Sequence, residues 1–247
     1  MTATALVTAA AVAGAAAGPW LRARIFSNSV AYRRPLRRRC PRCRQPLATS
    51  VWAMMPVTGR CPRCARRIGP ATAAVEATAA LVAALIAWRS HDLATFTVAT
   101  WVAAFGIVLS FVDATVRRLP DRITLPAITG TVTILAVTAA ATTTYHHLLT
   151  ALASAALLGG TYLAMVLARP TAIGLGDAKL AALTGLLLGS FSLSTAFAGL
   201  IAATLIGTAT GLVLLATRRI HLRQGFAHGP AMMLGALLAF TLASLPQ

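Results

Sequence analysis

Apolar residues fall into eight long stretches along this chain, at about 2–21, 72–88, 94–112, 123–143, 148–168, 178–189, 193–217 and 226–245. A helix needs about 20 mostly apolar residues to cross a bilayer. Most of these stretches approach that length, so they predict membrane-spanning helices. The sixth is short, and the fourth contains Pro126 and Gly130, so neither has to be a regular span. Much of the apolar surface is Ala, Gly and Thr, small residues that let helices approach closely in lipid. The one long polar segment covers residues 22–71, between the first and second stretches.

Composition supports the same picture. Only 11% of residues are charged and 57% are hydrophobic, with a mean hydropathy of +0.75; a soluble domain carries about 25% charged residues. The polarity is far too low for a disordered chain. The expected fold class is an all-α polytopic membrane protein, with about eight transmembrane helices and a small cytoplasmic zinc-ribbon-like insertion. The first stretch lacks the basic start of a signal peptide, since its first cation is Arg22, and fits a retained helix with its N-terminus outside. If residues 22–71 are cytoplasmic, alternation puts 113–122, 169–177 and 218–225 on the same side. That arrangement places 21 of the 22 cations there, including Lys179, Arg169, Arg219 and Arg223, and leaves only Arg89 opposite. This is a positive-inside pattern. It also accounts for the net charge of +17 through topology and anionic lipid headgroups. Nucleic acid is not indicated: no binding motif is present and no aromatics are interleaved with the cations.

All four cysteines lie in the polar segment, as Cys40-Pro-Arg-Cys43 and Cys61-Pro-Arg-Cys64. Two CxxC knuckles at this separation match a zinc ribbon, in which four thiolates close a structural tetrahedral site. The adjacent Arg42, Arg44, Arg60 and Arg63 are expected to lower the thiol pKa values. Disulfides fit a reducing compartment poorly, and a redox CxxC does not explain two matched copies.

The chain has five acids, Glu76, Asp92, Asp113, Asp121 and Asp177. A charged residue such as Asp at the centre of a membrane helix costs roughly 2.5–3.5 kcal/mol on insertion scales. Asp113 and Asp177 nonetheless sit at the edges of apolar stretches, 64 positions apart, and alternation brings both to the cytoplasmic face. Two carboxylates held close together cannot both ionise cheaply, so such a pair shares a proton. One member could take a proton from water while the other polarises a peptide carbonyl. Gly174 and Gly176 would permit backbone conformations and close approach beside Asp177. For either aspartate alone, helix capping explains its position as well as catalysis does. Asp121, after Leu119-Pro120, reads as a turn and N-cap for the fourth helix. Lys179 fits a snorkelling anchor. Glu76 is either a charge complementing a helix start or part of a cytoplasmic site. Asp92 and Arg89 read as solvated loop residues. His91 and His146-His147 fall in outer loops, with His221 and His228 near the cytoplasmic end. No HExxH, GxSxG or P-loop spacing is present.

These residues resemble the type IV prepilin peptidases, bacterial GxGD membrane aspartyl proteases. Phe111-Val-Asp113 with Leu119-Pro120-Asp121-Arg-Ile-Thr-Leu-Pro126 is similar to the family's Asp…LPDxLTLP block. Gly174-Leu-Gly176-Asp177-Ala-Lys179 is similar to its GxGDxK block, and the paired CxxC knuckles to its cytoplasmic zinc-binding region. His228-Gly229-Pro230 is similar to its FGP run, with Phe replaced by His.

The resemblance implies a bacterial inner-membrane enzyme that cuts the short basic leader from prepilins or pseudopilins at the cytoplasmic membrane edge. Asp113 and Asp177 would be the catalytic pair. The implied organisation is a first transmembrane helix over 1–21, a zinc-binding cysteine module over 22–71 and a membrane-embedded protease domain over 72–247. Many relatives with the cysteine module also N-methylate the new N-terminus using S-adenosylmethionine. The region tied to that activity departs from the family here: Pro70 and Glu76 remain, but the Arg-Tyr-Pro of ISPRYPxVE is absent. Methylation is therefore implied less firmly than cleavage. Two other readings stand beside a peptidase. A proton-coupled transporter predicts midplane acids and internal repeats, and neither is seen. A non-catalytic scaffold of a pilus or secretion assembly would tolerate loss of either aspartate.

Overall fold

The computed structural model describes residues 3–168, 174–218 and 226–243. Arg169, Arg219, Arg223 and His221 lie outside the described residues. The described chain is all-helical: α1 (Ala3–Asn28), α2 (Ala74–Arg89), α3 (Leu93–Val116), α4 (Asp121–Thr142), α5 (His146–Ala168), α6 (Leu175–Gly189), α7 (Leu193–Ala216) and α8 (Gly229–Ala243). Five of these, α1, α3, α4, α5 and α7, are long and apolar enough to cross a membrane. The chain is thus a multi-pass membrane protein.

The short α6 is the hub. Its apolar residues point in all directions and are buried from Leu183 to Gly189, as expected for a helix enclosed by others. Close packing against α5 depends on the absence of side chains. A Cβ on Gly185 would meet the Ala155 backbone at 2.9 Å, and one on Gly189 would meet Ser154 at 2.4 Å. Without a hydrophobic drive between helices in lipid, such close backbone contact supplies much of the association. The fourth helix runs unbroken through Pro126. Opposite Gly130, the Trp101 indole fills the missing side-chain volume, and its Nε1–H donates to the Ala127 carbonyl at 3.2 Å.

The first helix continues to Asn28, seven residues past the expected end of its apolar run. The reason is a buried ion pair. Arg22, which reads as a membrane stop, is only 1% exposed. Its Nε donates to Glu76 Oε1 at 2.6 Å and its Nη2 to Oε2 at 2.7 Å. The same guanidinium donates to the carbonyls of Pro70 and Ala71, at 3.1 and 2.8 Å. Both carboxylate oxygens accept from the guanidinium fork, the bidentate geometry in which a buried pair is tolerated. Beyond it, Ala23 and Phe26 of α1 form a small second core with Cys40, Ala48, Met55, Cys61 and Ile68. The polar loop therefore folds onto the extended end of α1.

At the opposite end of the bundle, Arg89 and Asp92 are not merely solvated. Arg89 is buried, donates to the Thr241 carbonyl and lies over the Trp88 ring. Asp92 caps α3 by accepting from the Thr95 N–H at 2.8 Å.

Removing one partner of a buried pair leaves the other charge uncompensated. Arg22→Leu and Glu76→Leu should each lower stability by about 3–5 kcal/mol. The double variant should lose much less than the sum, because no orphan charge remains. Unfolding in detergent, followed by circular dichroism, checks both points.

Candidate active site and metal centre

The last turn of α3 carries Asp113, and the first turn of α6 carries Asp177. Both line one cleft of about 440 Å³, together with Leu119, Asp121, Lys179 and Gly174–Gly176, and their charges act on one another. Chain alternation predicted equal depth; the structure brings the two into a shared space.

Each carboxylate is held by a backbone N–H at a helix start. Asp177 is the third residue of α6, and its Oδ2 accepts from the Gly174 N–H at 3.2 Å. Asp113 is 5% exposed, and its Oδ2 accepts from the Gly229 N–H at 2.9 Å, where α8 begins. Unpaired amides and the helix dipole favour negative charge at such positions.

The two glycines before Asp177 divide the expected roles. Neither adopts a left-handed φ among the described residues. Gly176 is needed for close approach, since a Cβ there would lie 2.8 Å from Leu119 Cβ. The Leu-Pro-Asp turn thereby packs on the start of α6. Gly174 contributes its N–H, and a Cβ on it would make only ordinary contacts.

Asp121 is the first residue of α4 and not its cap; Pro120 occupies the cap position. Lys179 is likewise no free anchor. Its Nζ donates to Asp121 Oδ1 at 2.5 Å and clips α6 to α4 at the cleft mouth. Glu76 stands apart from the cleft, in the Arg22 pair.

Several cleft residues lacked a signal in the sequence. Tyr32 enters from the polar loop, where it stacks with Arg118 at 4.8 Å, and Arg118 donates to the Val30 carbonyl at 3.3 Å. His228 lines the cleft and meets the Tyr162 hydroxyl through Nε2 at 3.3 Å. The HGP run marked His228, but nothing in the sequence pointed to Tyr162 of α5.

The four cysteines form the second centre. The two knuckles repeat one hydrogen-bond pattern. Cys40 N–H donates to Gln45 O and Cys61 N–H to Arg66 O, both at 2.9 Å, while Arg44 and Ala65 take left-handed φ values. The Sγ atoms all lie within 4.8 Å of one another, and the Cys40–Cys64 and Cys43–Cys61 separations are 3.7 and 3.5 Å. A tetrahedral ion with bonds of about 2.3 Å to sulfur requires edges near 3.8 Å, so the thiols fit a bound metal ion. All four are free of disulfides.

The Cys40 thiol is lowered to about 6, first by the Cys43 backbone N–H. The sequence reading credited arginine side chains, but backbone amides of the knuckle are the larger influence. At Cys43 the Gln45 backbone N–H acts to lower the thiol, yet burial and the three neighbouring sulfurs outweigh it and raise it to about 11.

Comparison with known families gives two matches in order along the chain. The bacterial peptidase A24 N-terminal domain matches residues 20–90, and the type IV leader peptidase family matches residues 100–216. No curated protein and no solved structure matches the chain. The first match spans the end of α1, the cysteine knuckles and α2, and the second runs from Thr100 through both aspartates to the end of α7. A helical membrane bundle with this pair of matches belongs to the type IV leader peptidase family.

Proposed function

We propose that the protein is a prepilin leader peptidase that uses Asp113 and Asp177 as one acid–base unit. The observation that carries this reading is the shared cleft, with each carboxylate held by a helix-start amide. In the reaction, the ionised carboxylate takes a proton from water as the oxygen attacks the scissile carbonyl. The protonated partner donates to the carbonyl oxygen. As the tetrahedral diol collapses, the carboxyl that took the water proton gives it to the leaving amine, a diol hydroxyl returns its proton to the other carboxylate, and the C–N bond breaks. The pair titrates as a unit, with no permanent acid and base. Gly176, Pro120, Asp121 and Lys179 support it by packing the α4 and α6 starts together, and Gly174 by the N–H it donates to Asp177.

The substrate class is a prepilin-like or pseudopilin chain with a short basic leader. We place the cleft and the cysteine module on the cytoplasmic side, with the N-terminus outside. The one-sided distribution of cations supports this orientation, as does Tyr32 of the module loop reaching into the cleft.

We assign zinc to the four thiols, on the donor set and the tetrahedral edge lengths. Four protein ligands leave no open position, so the ion would brace the loop. For methyl transfer, Glu76 does not fit a ligand-binding role. Both its oxygens are occupied by Arg22, and it is buried. We assign Glu76 to the architecture and not to a site for S-adenosylmethionine.

Cleavage of a prepilin-type leader peptide by reconstituted protein tests the peptidase reading. Asp113→Asn and Asp177→Asn should each reduce kcat by at least about 10³-fold, the order of a lost acid–base group, while the fold is retained. Substantial cleavage by either variant refutes the aspartate mechanism. The product mass reports methylation, as a 14 Da gain for one CH₂.

Metal content tests the second centre. The wild-type protein should carry one zinc, and Cys40→Ser or Cys64→Ser should lose it, because each thiolate is one of four ligands. Stoichiometric zinc retained by either variant would remove the assignment.

A further inference from the structure

His228 immediately precedes α8, and three elements fix its ring. The Tyr162 hydroxyl of α5 meets Nε2 at 3.3 Å, and the two rings stack with centroids 6.4 Å apart. Phe226 meets the imidazole edge-on, at 6.2 Å. On α7, Gly207 leaves the space that the ring occupies: a Cβ there would come within 2.6 Å of Cε1 and 2.7 Å of Nδ1. This imidazole is half-buried, packed against the bundle on one side and lining the cleft on the other.

Its place in the chain gives it reach in two directions. The next residue is Gly229, whose N–H holds Asp113, while the imidazole lines the same cleft as Asp177, where their charges act on one another. One dipeptide thus addresses both carboxylates, through its backbone on one side and its side chain on the other. The resemblance noted above puts a phenylalanine at this position, which could offer the packing but no proton.

We propose that His228 is a positioning residue for the aspartate pair, braced by Tyr162 so that its imidazole stays in the cleft that Asp177 lines and adds a third proton site there. The inference rests on reading Asp113 and Asp177 as the catalytic pair. The groups that bear on the ring are Tyr162 from α5 and Asp177 from α6, with Asp113 of α3 reached through Gly229. Gly207 of α7 brings no charge, and the remaining charges of the cleft are Arg117, Arg118 and the Asp121–Lys179 clip. Burial holds the imidazole below its ordinary value, and the Asp177 carboxylate opposes that fall.

The sign follows directly. A protonated imidazole favours the ionised form of Asp177, so it keeps that carboxylate charged to lower pH. Loss of the imidazole should move the acid limb of cleavage to higher pH.

The pH dependence of kcat/KM is measured for wild type, His228→Phe, His228→Gln and Tyr162→Phe in reconstituted membranes. Both His228 variants should shift the acid limb upward by about half a unit or more, with kcat changing more than KM. Tyr162→Phe, which loosens the ring but leaves its charge, should shift the limb less. If His228→Phe fails to fold, His228→Gln carries the comparison.

A second readout does not depend on turnover. The His228 imidazole resonance, identified by its loss in His228→Gln, should titrate at lower pH in Asp177→Asn than in wild type. Superposable normalised profiles for both His228 variants, or an imidazole titration indifferent to Asp177→Asn, overturn the proposal. Cleavage persisting in Asp113→Asn or Asp177→Asn would overturn the underlying reading, and this inference with it.

Discussion

A carboxylate at the edge of an apolar bundle must be held by something, and here a backbone N–H at a helix start does it twice. Asp177 uses the amide of Gly174, the residue that caps its own helix, α6, and Asp113 uses the first residue of α8. The arrangement imposes conditions on the rest of the fold. The start of α8 has to meet the last turn of α3, and the start of α6 has to meet the Leu-Pro-Asp turn before α4. Side chains would block both contacts: a Cβ on Gly229 would lie 2.9 Å from Asp113 Oδ2, and one on Gly176 would lie 2.8 Å from Leu119. Close helix packing through small residues is common in membranes. In this chain it also sets where the two acids sit.

The cysteine module is joined to this core at two points with different physics. On one side, Arg22 and Glu76 lock α1, α2 and the loop carbonyls of Pro70 and Ala71 into one buried network. On the other, Arg118, just past α3, donates to Val30 and stacks on Tyr32, which lines the cleft. A change in the metal-binding loop therefore has a short path to the aspartates, five residues from Asp113 to Arg118. Surface stacking of this kind is worth only about 0.5–1 kcal/mol, so the module biases the cleft wall more than it holds it rigid.

The helices were legible because long apolar runs leave few alternatives, and each of the eight described helices overlaps a predicted run. The end of α1 was not legible: an arginine after an apolar run reads as a stop, and its partner Glu76 lies 54 residues away. The aspartates stood out because acids are rare in this composition, and the cysteines because CxxC repeats carry their own spacing. The cleft partners were harder to find. Gly229 acts through a backbone amide, which has no side-chain signature, and Tyr162 sits in the middle of an apolar helix where an aromatic residue is unremarkable. Lys179 and Asp121 were each noticed, but sequence could not join them across 58 positions.

The four acids at this end of the bundle divide by what holds them. Glu76 and Asp121 each face a cation, Arg22 and Lys179. Among the described residues, Asp113 and Asp177 make no direct ion pair and are held by amides instead. The distinction matters for proton chemistry. A cation in contact stabilises only the ionised form, and so commits a carboxylate to one state. An amide N–H also favours the ionised form, but carries no full charge, and it leaves the other oxygen free to gain or lose a proton. A pair that must exchange roles within one catalytic cycle needs the second kind of support. The same logic explains why Lys179, although it lines the cleft, can coexist with an acid–base pair: Asp121 occupies it.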